Sequence, residues 1–331
     1  MKKIAITIIA AAVLAACGQQ QSAAEKIRGA LPAKESVQIT QPDPGSTAHA
    51  PLSAKLPTPD GKASLGVVSY LFALGINGGV YWTLFQLEVV TLLPPTSCND
   101  DSCTWGPWPG GDGLNTWKLS VAKRDDGGYD YALQAAPLPA GTAFVDVISG
   151  VAYPGQDRWH GNGSLAVDFD AVAAGINHPQ GWTQTDFGTL AVNYDNRTVK
   201  HLDATFLNSR NADHPGTDPA NPNRSDAAYA FDSSAGAGDL QVAFQTLPPF
   251  SNDYIDEQAS LHTRWVSGGA GRGDFQYSNQ SGTFHESQCW AGAPTYAMTY
   301  DDLVGGAFGA ETDCDASLQT VSYATLTPPA T

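Results

Sequence analysis

The chain has 331 residues, 42% of them hydrophobic, with 17 basic against 33 acidic side chains and a formal net charge of −16. No stretch gathers Lys and Arg into a basic patch, so the phosphate neutralisation that nucleic-acid binding needs has nothing to supply it, and that partner class is excluded from expectation. Five cysteines are an odd count, which in an exported protein asks for an explanation.

In chain order, Lys2 and Lys3 precede an apolar run from Ile4 to Leu14, and the small residues Ala15 and Ala16 lead to Cys17. Charged start, short apolar core and small residues are the order of an export signal. Its ending, "LAAC", resembles the signal of bacterial lipoproteins. The resemblance implies a signal peptide over 1–16, cut before Cys17, whose thiol and new amine then carry acyl chains such as palmitate. Gly18, in place of the aspartate associated with inner-membrane retention, implies an outer-membrane location, periplasmic or surface-facing. At roughly 0.8 kcal/mol per buried CH₂, several acyl chains make a stable anchor, so the lipid is the expected membrane partner. Lipidation also accounts for the odd thiol.

Residues 17–62 are rich in Gln, Ala, Ser and Pro and hold no aromatic residue; the first in the chain is Tyr70. Such a composition cannot build a core and reads as an extended, disordered tether, with a short helix allowed around "SAAEKIRGAL". Residues 63–331 are long enough for a single β-rich domain. It opens with an apolar run from Ser64 to Pro95 in which Glu88 is the only charge. Val80, Leu84, Leu87 and Val90 follow a helical period, and Gly75, Asn77, Gly78 and Gly79 predict a break into two helices, each too short for the ~20 residues of a membrane span. Cys98 and Cys103 are close enough for a local loop, which makes Cys98–Cys103 with Cys289–Cys314 the economical disulfide pairing among three. A zinc site is the rival, without the C-x-x-C spacing that structural zinc favours.

"CTWGPWPGGDGLNTW" reads as a Gly/Pro loop whose Trp105 and Trp108 are candidates for stacking on a ligand, against the commoner fate of burial. Beyond it the period becomes two. "TWKLSVAKRDDGGYDYALQA" predicts a hairpin around Asp125, Asp126 and Gly127, and about ten further alternating segments follow, ending with "TYAMTYDD" and "SLQTVSYATL". Without helical crossovers they predict an antiparallel meander. "NSRNADHPGTDPANPNRSD" is a polar loop.

"GSLAVDFD" (163–170) and "GTLAVNYD" (188–195) are near-copies. Alternation places Leu165, Val167 and Phe169 inward and Asp168 and Asp170 outward. With Asp195 of the second copy and Asp203 of the following strand, these carboxylates are the candidate ligands for calcium, which takes six to eight oxygens; the competing reading is a solvated strand end with Asx turns. No other cofactor is expected. "GRGD" (271–274) reads as hairpin chemistry, and His285, Glu286, Asp301 and Asp302 form a possible acid/base set, weakened because neighbours on a strand face opposite ways.

The segments "INGGV", "PPTS", "TWGPW", "NTWK", "LAVDFDA", "TRWVSGGAGRGDFQYS" and "QCW", in that order from Leu65 to Cys314, resemble a family of β-rich bacterial outer-membrane lipoproteins. The chain departs from it at Gln288, where glutamate is expected, and in having Cys98 and Cys103. The resemblance implies export and β architecture and carries over no functional residue. The expected fold is α+β and mainly β: a large antiparallel meander or barrel-like sheet with one or two N-terminal helices packed on its concave face. The expected function is non-catalytic binding of an apolar or amphipathic ligand, or of an envelope protein. The rivals are an extracytoplasmic hydrolase or glycan binder using the acidic residues of the repeat, and a calcium-dependent adhesion or scaffold protein.

Overall fold

A computed structural model describes residues 22–41, 62–111, 113–139, 143–157, 159–181, 186–211, 225–234, 236–246, 257–279, 281–292, 296–302 and 308–327. Fourteen strands form one antiparallel meander in strict chain order. They are β1 (Ser97–Cys98), β2 (Ser102–Pro109), β3 (Asn115–Lys123), β4 (Tyr129–Pro137), β5 (Val145–Tyr153), β6 (Asn162–Asp168), β7 (Asp186–Asp195), β8 (Lys200–Asn211), β9 (Ser225–Ser234), β10 (Ala237–Thr246), β11 (Glu257–Trp265), β12 (Gly271–Asn279), β13 (Gly282–Trp290) and β14 (Met298–Asp301). The order runs from β1 to β14 without joining the two ends, so the sheet is open and the barrel alternative is set aside. Helices are α1 (22–30), α2 (Lys34–Val37), α3 (Ser64–Leu92) and α4 (Phe169–Gly175). The chain divides into two compact units, 1–36 with 82–183 and 37–81 with 184–331.

In the first unit the meander follows from alternation. Arg124–Gly128 closes the β3–β4 hairpin, with Gly127 at φ 88°, a left-handed conformation that glycine adopts without a Cβ clash. Trp105, Leu119, Leu133 and Ile148 lie opposite one another on β2 to β5 and make a continuous buried row. The predicted loop at "CTWGPWPGG" is therefore strand β2: its Gly and Pro sit where the register shifts between Trp105 and Trp108. Trp105 Nε1 donates to Leu93 O at 2.9 Å. Residues 22–31, which composition reads as tether, bury Ala23, Ala24, Ile27, Ala30 and Leu31, and Arg28 Nη2 donates to Thr91 O.

In the second unit two rows cross the strands on one face. Val192, Ala204, Tyr229, Val242, Leu261, Phe275 and Glu286 are successive partners, as are Tyr194, Leu202, Phe231, Leu240, Thr263, Gly273, Gln288 and Asp301. Both rows begin apolar and buried and end polar, at β13 and β14. The start of α3 packs on this face: Phe72 meets Phe244 at a ring separation of 6.0 Å, and a Cβ on Gly66 would stand 2.8 Å from the Tyr296 ring.

The predicted break in the apolar run does not occur; α3 is one helix of 29 residues. Each glycine costs a helix about 1 kcal/mol, but Asn77 does not end it, because its side chain is used elsewhere. Asn77 Oδ1 accepts from Ile39 N at 2.7 Å and Nδ2 donates to Ile39 O at 2.8 Å, fastening residues 37–41 along the helix. By length and composition α3 is able to cross a membrane, while its first turns make the contacts of a core helix. The predicted strand at "SLQTVSYATL" is also corrected: residues 316–318 are a 3₁₀ turn and residues 319–326 belong to no strand.

Candidate functional site

Where the two rows end, α3 begins, and the junction is made by one amide. Leu65 N–H can only donate, and it lies 3.0 Å from one atom of the Gln288 amide, which must therefore be the carbonyl oxygen. Ser64 Oγ donates to the same oxygen at 3.0 Å. The amide nitrogen then faces two carboxylates, Glu286 Oε1 at 2.7 Å and Asp301 Oδ2 at 3.2 Å. Gly273 makes the approach possible, since a Cβ there would stand 2.9 Å from Leu65 Cβ.

This junction is dry: Glu286 is 5% and Asp301 4% exposed. Burial, together with the negative charges of Asp301 and Asp302, pushes the Glu286 carboxyl up to about 7. Asp302 is also raised by burial, against the lowering effect of the Ser287 N–H that it accepts. Two carboxylates near one NH₂ group, in a site with little water, can hold a proton.

The opposite face of the same strands is polar too, and is covered by the chain's C-terminal segment. Arg272 and Asp274, both fully buried, pair at 2.7 Å. Arg272 Nη1 also donates to Glu311 and to the carbonyls of Leu318 and Gln319, and Arg264 donates to Asp274 and to Thr320 O. His262 lies between Asp239 and Ser322 O, and Ser322 N donates to Asp274. The Cys289–Cys314 disulfide ties the segment to β13. "GRGD" is thus a strand with a buried ion pair, not a hairpin turn and not an exposed adhesion tripeptide.

A second feature is the outer side of α3. In the first unit's part of α3, Phe85, Val89 and Leu92 fall within about 60° of one another at 100° per residue and all are exposed, Leu92 at 67%; in the second unit's part, Leu74 and Tyr81 are exposed, Leu74 at 54%. Ala73, Val80, Leu84 and Leu87 occupy a different, buried side.

The remaining predicted residues have local structural roles. Asp168 ends β6 and caps α4, its carboxylate accepting from Ala171 N at 2.8 Å, and Asp170 lies in that helix's first turn. Strand alternation accordingly stops before Phe169, whereas Leu165 and Val167, and Leu190, Val192 and Tyr194 in the second copy, are buried as expected. Asp195 clamps Arg197, and Asp203 pairs with His201 at 2.8 Å. Among the described residues no group of three or more His, Cys, Asp or Glu is arranged to hold a metal ion. Trp105 is wholly buried, which removes it as a stacking platform, and Trp108 is half-buried opposite Trp117. Both disulfides form as paired above. Cys17 and most of the polar loop, 212–224, lie outside the described residues.

Of the acid/base set, Glu286 and Asp301 come together and Asp302 binds Ser287 N, while His285 turns to the other face, its ring 4.6 Å from that of Tyr323. Gln288, the residue that joins them, stands out in the sequence only as a departure from the pattern that the resemblance implies. The signal for it was the shared parity of Glu286, Gln288 and the buried Trp290 on one strand face.

Fold and site together define a mainly β protein: an open fourteen-stranded meander with a buried acid–amide junction under the start of one long helix. No protein-family model, curated protein or solved structure matches the chain.

Proposed function

We propose that the chain is a lipid-anchored outer-membrane protein that acts by binding, without catalysis, and that its binding surface is the outer side of α3. The observation that carries this reading is the set of exposed apolar side chains Phe85, Val89 and Leu92 on one side of the helix in the first unit. An exposed i, i+4, i+7 set of apolar side chains is what the apolar stripe of an amphipathic partner lies against. Apolar side chains gathered on one exposed face, in a chain of net charge −16, mark an interaction surface more than a solvated one. The lipoprotein-like "LAAC" ending at Cys17 supports the envelope location.

Two measurements test the reading. The neutral fluorophore N-phenyl-1-naphthylamine is expected to bind the folded mature chain saturably, and a Phe85→Glu/Val89→Glu variant of unchanged circular dichroism to lose that binding. Binding that is absent, or indifferent to the substitutions, would count against α3 as the surface. Labelling cells with an alkyne fatty acid is expected to mark the wild type and not Cys17→Ser; an unlabelled wild type would remove the anchor.

A further inference from the structure

We propose that residues 320–325 are an exchangeable strap: the face of β10–β12 beneath them is a groove for an uncharged, extended segment of another protein, and the strap occupies it until such a segment takes its place. The residues involved are not those of the α3 surface, so this stands apart from the reading above.

The groove reads main chain. Arg264 Nη2 donates to Thr320 O at 2.7 Å, and Ser322 O accepts from His262 Nδ1 at 2.7 Å. In the other direction, Ser322 N donates to Asp274 Oδ2 and Thr325 N to Gln241 Oε1, each at 3.0 Å. Arg272 Nη1 holds the root of the strap through Leu318 O and Gln319 O. Among the described residues, 320–325 make no hydrogen bond to another main-chain group. Every non-proline residue carries the peptide N–H and C=O that these contacts use, so an extended segment with the same spacing can make them in turn.

The strap is built to be displaced. None of its residues is buried, whereas Arg272, Asp274 and His262 beneath it are. The Cys289–Cys314 tie lies before it in the chain, so the strap can lift without that bond breaking, and the tie keeps it close as a tethered competitor. It is also an incomplete occupant. Arg272 Nη2 and Arg264 Nε, on the same two guanidinium groups that hold the strap and its root, are buried donors without a hydrogen-bond partner among the described residues. Leaving such donors unpaired is costly, and a segment bringing a side-chain oxygen to them binds better than the strap does. The partner is uncharged because the groove's own charges are already matched: Arg264 and Arg272 pair with Asp274, and His262 with Asp239. A charge entering there is buried without a counter-ion. The strap obeys the same rule, since no Asp, Glu, Lys or Arg follows Asp315.

The test is fluorescence anisotropy of a labelled, end-capped peptide of residues 319–327 added to the full chain. Ser322→Pro/Thr325→Pro removes the two N–H groups that the strap donates and so vacates the groove. That variant is expected to bind the peptide saturably and about tenfold or more tighter than the wild type, whose strap competes. A peptide carrying the same two prolines is expected to bind neither, and Gln241→Leu added to the variant is expected to weaken binding about fivefold. Should the proline variant fail to fold, hydrogen exchange of the wild type makes the test: excess isotope-heavy peptide is expected to speed exchange in 320–327 and leave β3 and β4 unchanged. No binding to the vacated groove, equal binding to variant and wild type, binding indifferent to the prolines or to Gln241→Leu, or unchanged strap exchange overturns the proposal.

Discussion

Thr263 is fully buried in the polar half of the long row, and its Oγ1 has no hydrogen-bond partner among the described residues. A hydroxyl in that position costs desolvation and returns nothing, while valine has the same shape and a higher preference for strands. Thr263→Val is therefore expected to stabilise the fold by about 1 kcal/mol, read as a higher urea midpoint at unchanged slope. Glu286 gives the opposite kind of prediction, one that depends on pH. Its carboxyl titrates near 7 in the folded chain against 4.5 ordinarily, so the folded state holds the proton more tightly than the unfolded state. That contribution is present in full below 4.5 and is lost as pH rises through 7. One unit is worth about 1.4 kcal/mol, so the loss from this group totals about 3.5 kcal/mol. Urea unfolding at acidic and alkaline pH is expected to show a gap that Glu286→Gln narrows by about that amount; a variant with the same gap would place the pH dependence elsewhere.

At the scale of elements, α3 shows where local rules stop. Ideal Cβ atoms on Gly75 and Gly78 meet nothing within 4 Å, and neither residue has a positive φ, so both are ordinary helix positions without a side chain. Gly78→Ala is expected to add about 0.5 to 1 kcal/mol, measured by thermal or urea unfolding; a loss would mean that the helix surface is closed by something else there. The glycines read as a break because the compensating contacts, Asn77 with Ile39 and Phe72 with Phe244, are made across the fold and leave no local signal. Strands whose inner faces are apolar were legible: Leu119 and Val121, or Leu190 and Val192, alternate with polar neighbours and are buried. Legibility failed where both faces of a strand are covered. In "GRGDFQYSN" the first four residues are all buried, so alternation vanishes, and Gly271 and Gly273 suggest a turn when they in fact make room for Trp290 and Leu65. "SLQTVSYATL" failed in reverse: it has the alternation of a strand, but side chains of Arg272, Arg264, His262 and Gln241 bond its backbone in place of a neighbouring strand. Of the candidate site, the acids were legible as a set, and the amide that organises them was not.

For the whole molecule, the question is what holds an acidic chain of 331 residues to one arrangement of its C-terminal segment. Among its described residues the segment buries only Cys314 and Leu318 of its apolar side chains, so hydrophobic burial contributes little to their docking. Its attachments include hydrogen bonds from the Arg272–Asp274 network, from His262 and from Gln241, and a covalent tie, Cys289–Cys314, which closes a loop with a sequence separation of 25. On the chain-entropy scale such a loop is worth about 3 to 4 kcal/mol, whereas the Cys98–Cys103 tie, with a separation of 5, is worth about 2. The Cys289→Ser/Cys314→Ser pair is therefore expected to lose more stability than the Cys98→Ser/Cys103→Ser pair, and to lose it with early proteolytic cleavage between 311 and 325. Removing Arg272 as well adds little if the disulfide acts by holding the segment where the guanidinium can reach its carbonyls, because the two then act through one contact and are not additive. Full additivity of the double and triple variants would instead mean that the network docks the segment without the tie, and that Cys289–Cys314 acts only on the unfolded chain.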